Sequence, residues 1–126
     1  MDLALRACAA WQRFELEEIA LFYAPDVEVV SRWADLLGRT FHGHDGLRRW
    51  MEDFTGAFEK PLLEFEAVGA VGGQVVVIEH VRTRGRQSGA EVDFKLANVF
   101  TIRDGLIARQ VVYDDLAEAR AAAGLP

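Results

Sequence analysis

The sequence has 126 residues and a formal net charge of −6, and 51% of its residues are apolar. This length is typical of one domain, so we expect a single domain over residues 1–126. The acidic balance argues against nucleic acid as a partner, because clustered lysine and arginine supply most of that affinity. The one cysteine, Cys8, excludes a disulfide within the chain. No apolar run approaches the roughly 20 residues that cross a membrane, so we expect a cytoplasmic protein without a membrane partner.

The first part of the chain predicts two helices and a strand. Apolar residues recur every three or four positions over residues 3–13 and again over 15–23, which is typical of amphipathic helices. Pro25 predicts the end of the second helix, because the residue before a proline disfavours helical backbone. The valines that follow predict a short strand over 27–30, and a polar loop is expected over 31–46.

A third helix and a run of strands fill the rest of the chain. Asp45 is expected to cap the third helix, whose apolar stripe runs through Trp50 and Phe54 before Pro61 ends it. Gly and Asp-Gly turns then divide the chain into strands that pair as a meander. The predicted strands are 62–70, 74–84, 91–102 and 106–113, followed by a short alanine-rich helix.

This order of elements predicts an α+β fold with helices on one face of a sheet. In the third strand of the meander the apolar residues share one parity, and Asn98 is the polar residue in that row. The second strand is apolar on both parities over Val75–Ile78, which indicates that both of its faces are covered. A second subunit is the simplest cover for the face without helices, so we predict a homodimer through the sheet.

Several motifs resemble the SnoaL-like branch of the nuclear-transport-factor-2-like superfamily. They include Tyr23-Ala24-Pro25-Asp26-Val27-Glu28, the stretch from Gly43 to Trp50, and Arg103-Asp104-Gly105-Leu106-Ile107. The resemblance implies a curved, mostly antiparallel sheet wrapped around N-terminal helices to form a cone with an apolar pocket. It says less about function, because the superfamily includes isomerases, polyketide cyclases, dehydratases and epoxide hydrolases as well as binding modules.

The resemblance also shows where the acids and phenols of the family's enzymes would fall. In a ketosteroid-isomerase-like pattern these positions are Ala7, Ser31 and Asn98. In cyclase-like and epoxide-hydrolase-like patterns an aspartate of the last strand falls on Val112, and an arginine of the epoxide-hydrolase-like pattern falls on Leu96. None of these side chains ionises usefully, so the sequence leaves open whether the protein is an enzyme.

The remaining candidates fall into two groups. His80 and Asp35 are candidate general bases, with the direction of the His80 side chain unknown. The candidate ligand-binding residues are Asn98, Trp33, Gln110, Val112, Trp11 and Ser31. No metal site is predicted, because His42 and His44 lack further ligands at suitable spacing. No cofactor is expected either, since the chain has no phosphate-binding glycine loop.

The leading hypothesis from sequence is therefore a pocket protein that binds a small, largely apolar molecule of polyketide, terpenoid or steroid type against Asn98. One alternative is a cofactor-independent acid/base enzyme of the isomerase, cyclase, dehydratase or epoxide hydrolase type. Another is a dimeric interaction module whose pocket is filled by its own side chains. An ionisable group inside the cone with a perturbed pKa would favour the enzyme.

Overall fold

A computed structural model of the chain describes residues 1–31 and 39–126. In these ranges the chain forms one sheet and four helices, which confirms the α+β class. The helices are α1 (Asp2–Arg13), α2 (Leu16–Ala20), α3 (Gly43–Ala57) and α4 (Leu116–Ala123). The strands are β1 (Tyr23–Ser31), β2 (Arg39–His42), β3 (Leu62–Val71), β4 (Gln74–Arg84), β5 (Glu91–Arg103) and β6 (Leu106–Tyr113).

The six strands lie in the order β2-β1-β6-β5-β4-β3. β1 and β6 are parallel and every other neighbouring pair is antiparallel. The register shifts within the β1–β6, β3–β4 and β5–β6 pairs. Such irregularities bend and twist strands, so the sheet curves around the helices that pack on its inner face.

The inner face of the sheet and helices α1, α2 and α3 share one hydrophobic core. Helix α1 contributes small side chains such as Ala4 and Ala7, which are fully buried and let the helix approach the sheet closely. Ile19 of α2 and Leu47 of α3 are also fully buried. Burying a side chain of this size contributes about 1.5–3 kcal/mol. This core therefore fixes the helices over one end of the curved sheet.

Helix α4 packs on the opposite, outer face of the sheet. Its Ala119 and Ala123 form a second apolar cluster with Val76 of β4 and with Ala97 and Val99 of β5. The apolar character of both faces near Val76 is thus explained within one chain. Near Val76, helix α4 supplies the cover that a second subunit was expected to supply, and the homodimer itself stays a prediction.

The structure also corrects the predicted elements around Pro25. Helix α2 ends at Ala20, and β1 already begins at Tyr23, so Pro25 lies inside a strand. The pairing of β1 with β6 shifts register between Tyr23 and Glu28. A proline is tolerated at such an interruption, because its missing N–H removes no regular ladder bond.

The predicted loop over 31–46 contains a strand that the sequence did not indicate. Strand β2 is only four residues long and pairs with β1, with Phe41 opposite Val29. Helix α3 then begins at Gly43, earlier than the predicted cap at Asp45. Asp45 lies in the first turn instead, where its carboxylate pairs with Arg48. Its negative charge there also interacts favourably with the helix dipole.

The start of α4 offers a test of the local structure. Asp115 caps this helix, and its side chain accepts a hydrogen bond from the backbone N–H of Ala117 at 2.8 Å. We expect Asp115→Ala to lower the free energy of unfolding by about 1 kcal/mol, since the cap is lost. Urea denaturation measures the change, and Asp114→Ala is the control at the neighbouring exposed acid. Equal effects of the two substitutions would contradict the capping role.

Candidate functional site

A cavity of about 70 Å³ lies between the inner face of the sheet and helices α1 and α3. Its wall is mostly apolar, and the described polar side chains that line it belong to Ser31, Glu79 and Gln110, with the indole of Trp11. The other lining residues are Phe14, Trp50, Met51, Phe54, Pro61, Leu63, Phe65, Val81, Phe94, Leu96, Phe100 and Val112. The cavity is therefore an apolar chamber with a small polar region.

Aromatic rings from α1 and α3 form one wall of this cavity. The rings of Trp11 and Trp50 lie 5.2 Å apart, edge to face at 71°. Phe14 lies 6.1 Å from Trp11 and 6.2 Å from Phe54. Such edge-to-face and tilted contacts hold the rings in defined positions. The wall thus offers a rigid apolar surface to the body of a ligand.

The polar region centres on Glu79 of β4. In this strand Val77, Glu79 and Val81 share the parity that faces the helices, and Glu79 is opposite Leu96 of β5 and Phe65 of β3. Among the described residues that line the cavity, only Glu79 has a side chain that carries a charge when ionised. The strand therefore places one carboxyl group among apolar neighbours.

A chain of hydrogen bonds connects Glu79 with helix α1. The Asn98 Nδ2 donates to Glu79 Oε1 at 3.0 Å, and the Gln110 Nε2 donates to Asn98 Oδ1 at 2.9 Å. The Tyr23 hydroxyl donates to Gln110 Oε1, and the Trp11 indole Nε1 donates to the Tyr23 hydroxyl at 2.8 Å. We call Trp11, Tyr23, Gln110 and Asn98 the relay. All four relay side chains belong to buried residues.

Burial raises the pKa of the Glu79 carboxyl above its ordinary value of 4.5, and the hydrogen bond from Asn98 opposes this by favouring the carboxylate. The shift brings the carboxyl toward the range in which a side chain can both take up and release protons near neutral pH. A carboxyl group in an apolar cavity with a raised pKa is suited to general acid or general base chemistry.

Two further groups near Glu79 are held neutral. Burial raises the pKa of the Cys8 thiol to about 12, and burial also raises the pKa of the Tyr23 hydroxyl above its usual range. The Glu79 carboxylate adds to both shifts. Neither group therefore carries a charge near neutral pH, and Cys8 lacks the thiolate that a nucleophile requires.

Several predicted site residues lie together in the structure. Trp11, Ser31, Gln110 and Val112 all line the cavity. Leu96, which takes the place of a family arginine in the epoxide-hydrolase-like pattern, lines it as well. Ala7 is fully buried in the core.

Asn98 has a different place from the one expected. Its side chain faces inward as predicted, but it is fully buried and does not line the cavity. Its nitrogen and its oxygen are both bonded to protein groups, Glu79 and Gln110. In this structure Asn98 therefore bonds to Glu79 and Gln110 and does not line the cavity, and its contact with a ligand stays a prediction.

His80 points away from the cavity. Its Nε2 lies 2.5 Å from Asp93 Oδ1, and its Nδ1 lies 3.7 Å from Glu64 Oε1 on the outer face of the sheet. His80 therefore does not act as a base inside the cone. Successive residues of a strand face opposite sides of the sheet, and Glu79 is the one that faces the cavity. Trp33 and Asp35, the other candidates, lie outside the described residues.

Glu79 was not predicted as a site residue, although the sequence carries a signal for it. The parity of β5 marks Leu96 as inward, and an antiparallel register across the turn at 85–89 pairs Leu96 with Glu79. Residues directly opposite each other in a sheet share a face. Because Val75–Ile78 is apolar at every position, β4 alone does not show which of its side chains face the helices.

The fold defines a class of protein, the α+β cones, and comparisons with known proteins agree. The SnoaL-like domain family matches residues 4–110. An uncharacterized Mycobacterium tuberculosis protein is 30% identical over 112 residues, which cover 86% of this chain and 83% of the relative. The chain belongs to the SnoaL-like domain family.

Solved structures show the same fold. A nuclear-transport-factor-2-like protein of unknown function from Burkholderia pseudomallei has a TM-score of 0.79 and 22% identity, and the match covers 98% of this chain and 95% of that one. A proposed polyketide cyclase from Xanthomonas campestris has a TM-score of 0.77 and 18% identity, with 95% and 93% covered. In the described part of the chain, no helix is long and apolar enough to cross a membrane.

Proposed function

We propose that this protein is an acid/base enzyme in which Glu79 transfers a proton to or from a small, largely apolar substrate. The observation that carries the proposal is the position of Glu79, a carboxyl group that lines an aromatic cavity and has a raised pKa. The sequence favoured a binding protein because the family's catalytic positions carry residues that do not ionise. Glu79 supplies the missing ionisable group from a different strand position.

The lining of the cavity favours a neutral substrate. No lysine or arginine is present among the described lining residues, so nothing there would compensate the charge of an acidic substrate. The aromatic wall suits a ring or branched hydrocarbon body, while a carbonyl or hydroxyl oxygen would meet the polar region. A polyketide-, terpenoid- or steroid-like molecule has this character.

Proton abstraction next to a carbonyl is the step that this arrangement supports best. Glu79 as carboxylate would take a proton from the carbon beside the carbonyl, and the electron pair of that C–H bond would move to the carbonyl oxygen to give an enolate. The Ser31 hydroxyl lines the same cavity and would donate a hydrogen bond to the enolate oxygen. Return of the proton to another atom would isomerise the substrate, and attack of the enolate on a second carbonyl would close a ring. The shared fold with a proposed polyketide cyclase supports this class of reaction.

Proton exchange tests the proposal without knowledge of the natural substrate. Small cyclic ketones and β-diketones would be incubated with the protein in deuterated water, and loss of the proton next to the carbonyl would be followed by NMR. We expect catalysed exchange in the wild type and a loss of about 100-fold or more in Glu79→Gln, which keeps the shape but not the base. Glu66→Gln is the control, since Glu66 is an exposed acid on the neighbouring strand.

Two results would contradict the proposal that Glu79 is the base of an enzyme. Exchange that survives in Glu79→Gln would assign the base to another residue. Saturable binding of these ketones without any catalysed exchange would instead favour the ligand-binding protein that the sequence first indicated.

A further inference from the structure

The relay ends at one oxygen of Glu79, and its two ends differ in chemistry. At one end the Trp11 indole has an N–H and no acceptor, so it can only donate. At the other end Glu79 Oε1 accepts from Asn98 at 3.0 Å. Among the described residues, none donates a hydrogen bond to Oε2 of Glu79, and Glu79 lines the cavity.

The donor-only end determines the direction of every bond between the two ends. The Tyr23 hydroxyl has one proton, and because it accepts from Trp11 it gives that proton to Gln110 Oε1. The amide nitrogen of Gln110 therefore donates to Asn98 Oδ1, and the amide nitrogen of Asn98 donates to Glu79 Oε1. The amides of Gln110 and Asn98 have nearly the same shape with N and O exchanged, so packing alone does not select this direction.

We propose that Trp11 is a positioning residue whose indole N–H fixes the direction of the relay, so that Asn98 donates to Glu79 Oε1 and leaves Oε2 to exchange the proton with the ligand. The inference deepens the proposed function by naming the reactive oxygen and the residue that selects it. A donor at Oε1 stabilises the carboxylate, which is the form that acts as a base. The direction of the relay therefore controls how readily Glu79 gives up its proton.

Removal of the indole N–H would allow the relay to reverse. With phenylalanine at position 11, a water in the space left by the indole could accept the Tyr23 hydroxyl proton. The Tyr23 oxygen would then be free to accept from a rotated Gln110 amide. Asn98 would then turn its oxygen toward Glu79 and accept a proton from the neutral acid. The neutral form of Glu79 would be favoured, and its pKa would rise.

In the described part of the chain, the relay is the polar group whose change is expected to alter the pKa of Glu79. Among the described residues, the titratable groups that interact with it electrostatically are Cys8 on α1 and Tyr23 on β1, and both stay neutral through the range in which a carboxyl titrates. Its neighbours across β3 and β5 are Phe65 and Leu96, which carry no charge. A change in the titration of Glu79 would therefore report on the relay.

The test is an NMR titration of Glu79 in protein labelled with ¹³C at the glutamate side chains. We expect Trp11→Phe to raise the midpoint of the Glu79 titration by about one unit, the effect of losing one hydrogen bond to a carboxylate. Trp50→Phe is the matched control, because it removes the same atoms from the same cavity and Trp50 packs on Trp11 outside the relay. Equal shifts in both variants, or an unchanged midpoint in Trp11→Phe, would overturn the inference.

Tyr23→Phe keeps the inference testable if Trp11→Phe does not fold. Phenylalanine there leaves Gln110 Oε1 without its donor, so the midpoint for Glu79 should again rise, and an unchanged midpoint would contradict the relay. These titrations need no substrate. If the midpoints shift as expected but the protein catalyses no proton exchange, only the proposed function is refuted. If the protein catalyses exchange but the midpoints do not shift, only the relay is refuted.

Discussion

Gln110→Leu should lower the free energy of unfolding by about 2–4 kcal/mol, the largest loss that we expect from a single polar residue of this protein. Gln110 is 3% exposed and joins the Tyr23 hydroxyl to Asn98 Oδ1. Leucine has a similar size but cannot bond to either group. The substitution therefore leaves a buried donor and a buried acceptor without partners, and each carries the cost of its lost hydration.

Urea denaturation of Gln110→Leu and Gln74→Leu provides the comparison. Gln74 lies at the start of β4, is half-buried, and makes one long bond of 3.5 Å to Thr101. The same substitution there should cost no more than about 0.5 kcal/mol. A double-mutant cycle with Tyr23→Phe should be strongly non-additive, since both changes remove the same bond. Additive effects, or equal losses at positions 74 and 110, would contradict the relay as a source of stability.

Glu79→Gln should make the protein more stable at pH 8 while it removes the proposed activity. The pKa of Glu79 is raised in the folded protein, so folding favours the protonated carboxyl. Below the unfolded value near 4.5 the carboxyl is neutral in both states. As the pH rises from there to the raised pKa, the unfolded state loses its proton first and the wild type loses stability. Glutamine has no proton to lose and avoids this penalty.

The difference between wild type and Glu79→Gln should therefore be small near pH 4 and should grow with pH until Glu79 is ionised in the folded protein. It amounts to about 1.4 kcal/mol for each unit by which folding raises the pKa. Urea denaturation at several pH values measures it, and Glu66→Gln at an exposed position should show no such trend. A variant that is less stable than the wild type at pH 8 would mean that the Glu79 carboxylate is stabilised by the fold.

The hairpins and the inward row of β5 could be predicted because their signals are local. The turn Asp104-Gly105 has φ values of 54° and 76°, which suit these two residue types and set the register of β5 against β6. Strict alternation along β5 then predicts that Asn98 faces inward, as it does. Local rules of turn chemistry and parity were sufficient for this part of the fold.

The site required information that is not local. Strand β4 is apolar on both parities because α4 covers its outer face, and α4 lies much further along the chain. The strand alone therefore did not show whether Glu79 or His80 faces the helices. Strand β2 was missed for a related reason, since its four residues carry only one buried side chain, Phe41, and gain their order from pairing with β1.

The most direct test of the central claim is the titration of the Glu79 δ-carbon in the wild-type protein, followed by NMR from about pH 3 to pH 9. We predict a midpoint clearly above 4.5, because an apolar cavity surrounds the carboxyl and a single amide opposes the shift. A midpoint at or below 4.5 would show that Glu79 is a fully solvated or strongly stabilised carboxylate. It would contradict both the raised pKa and the assignment of Glu79 as the proton-transfer group.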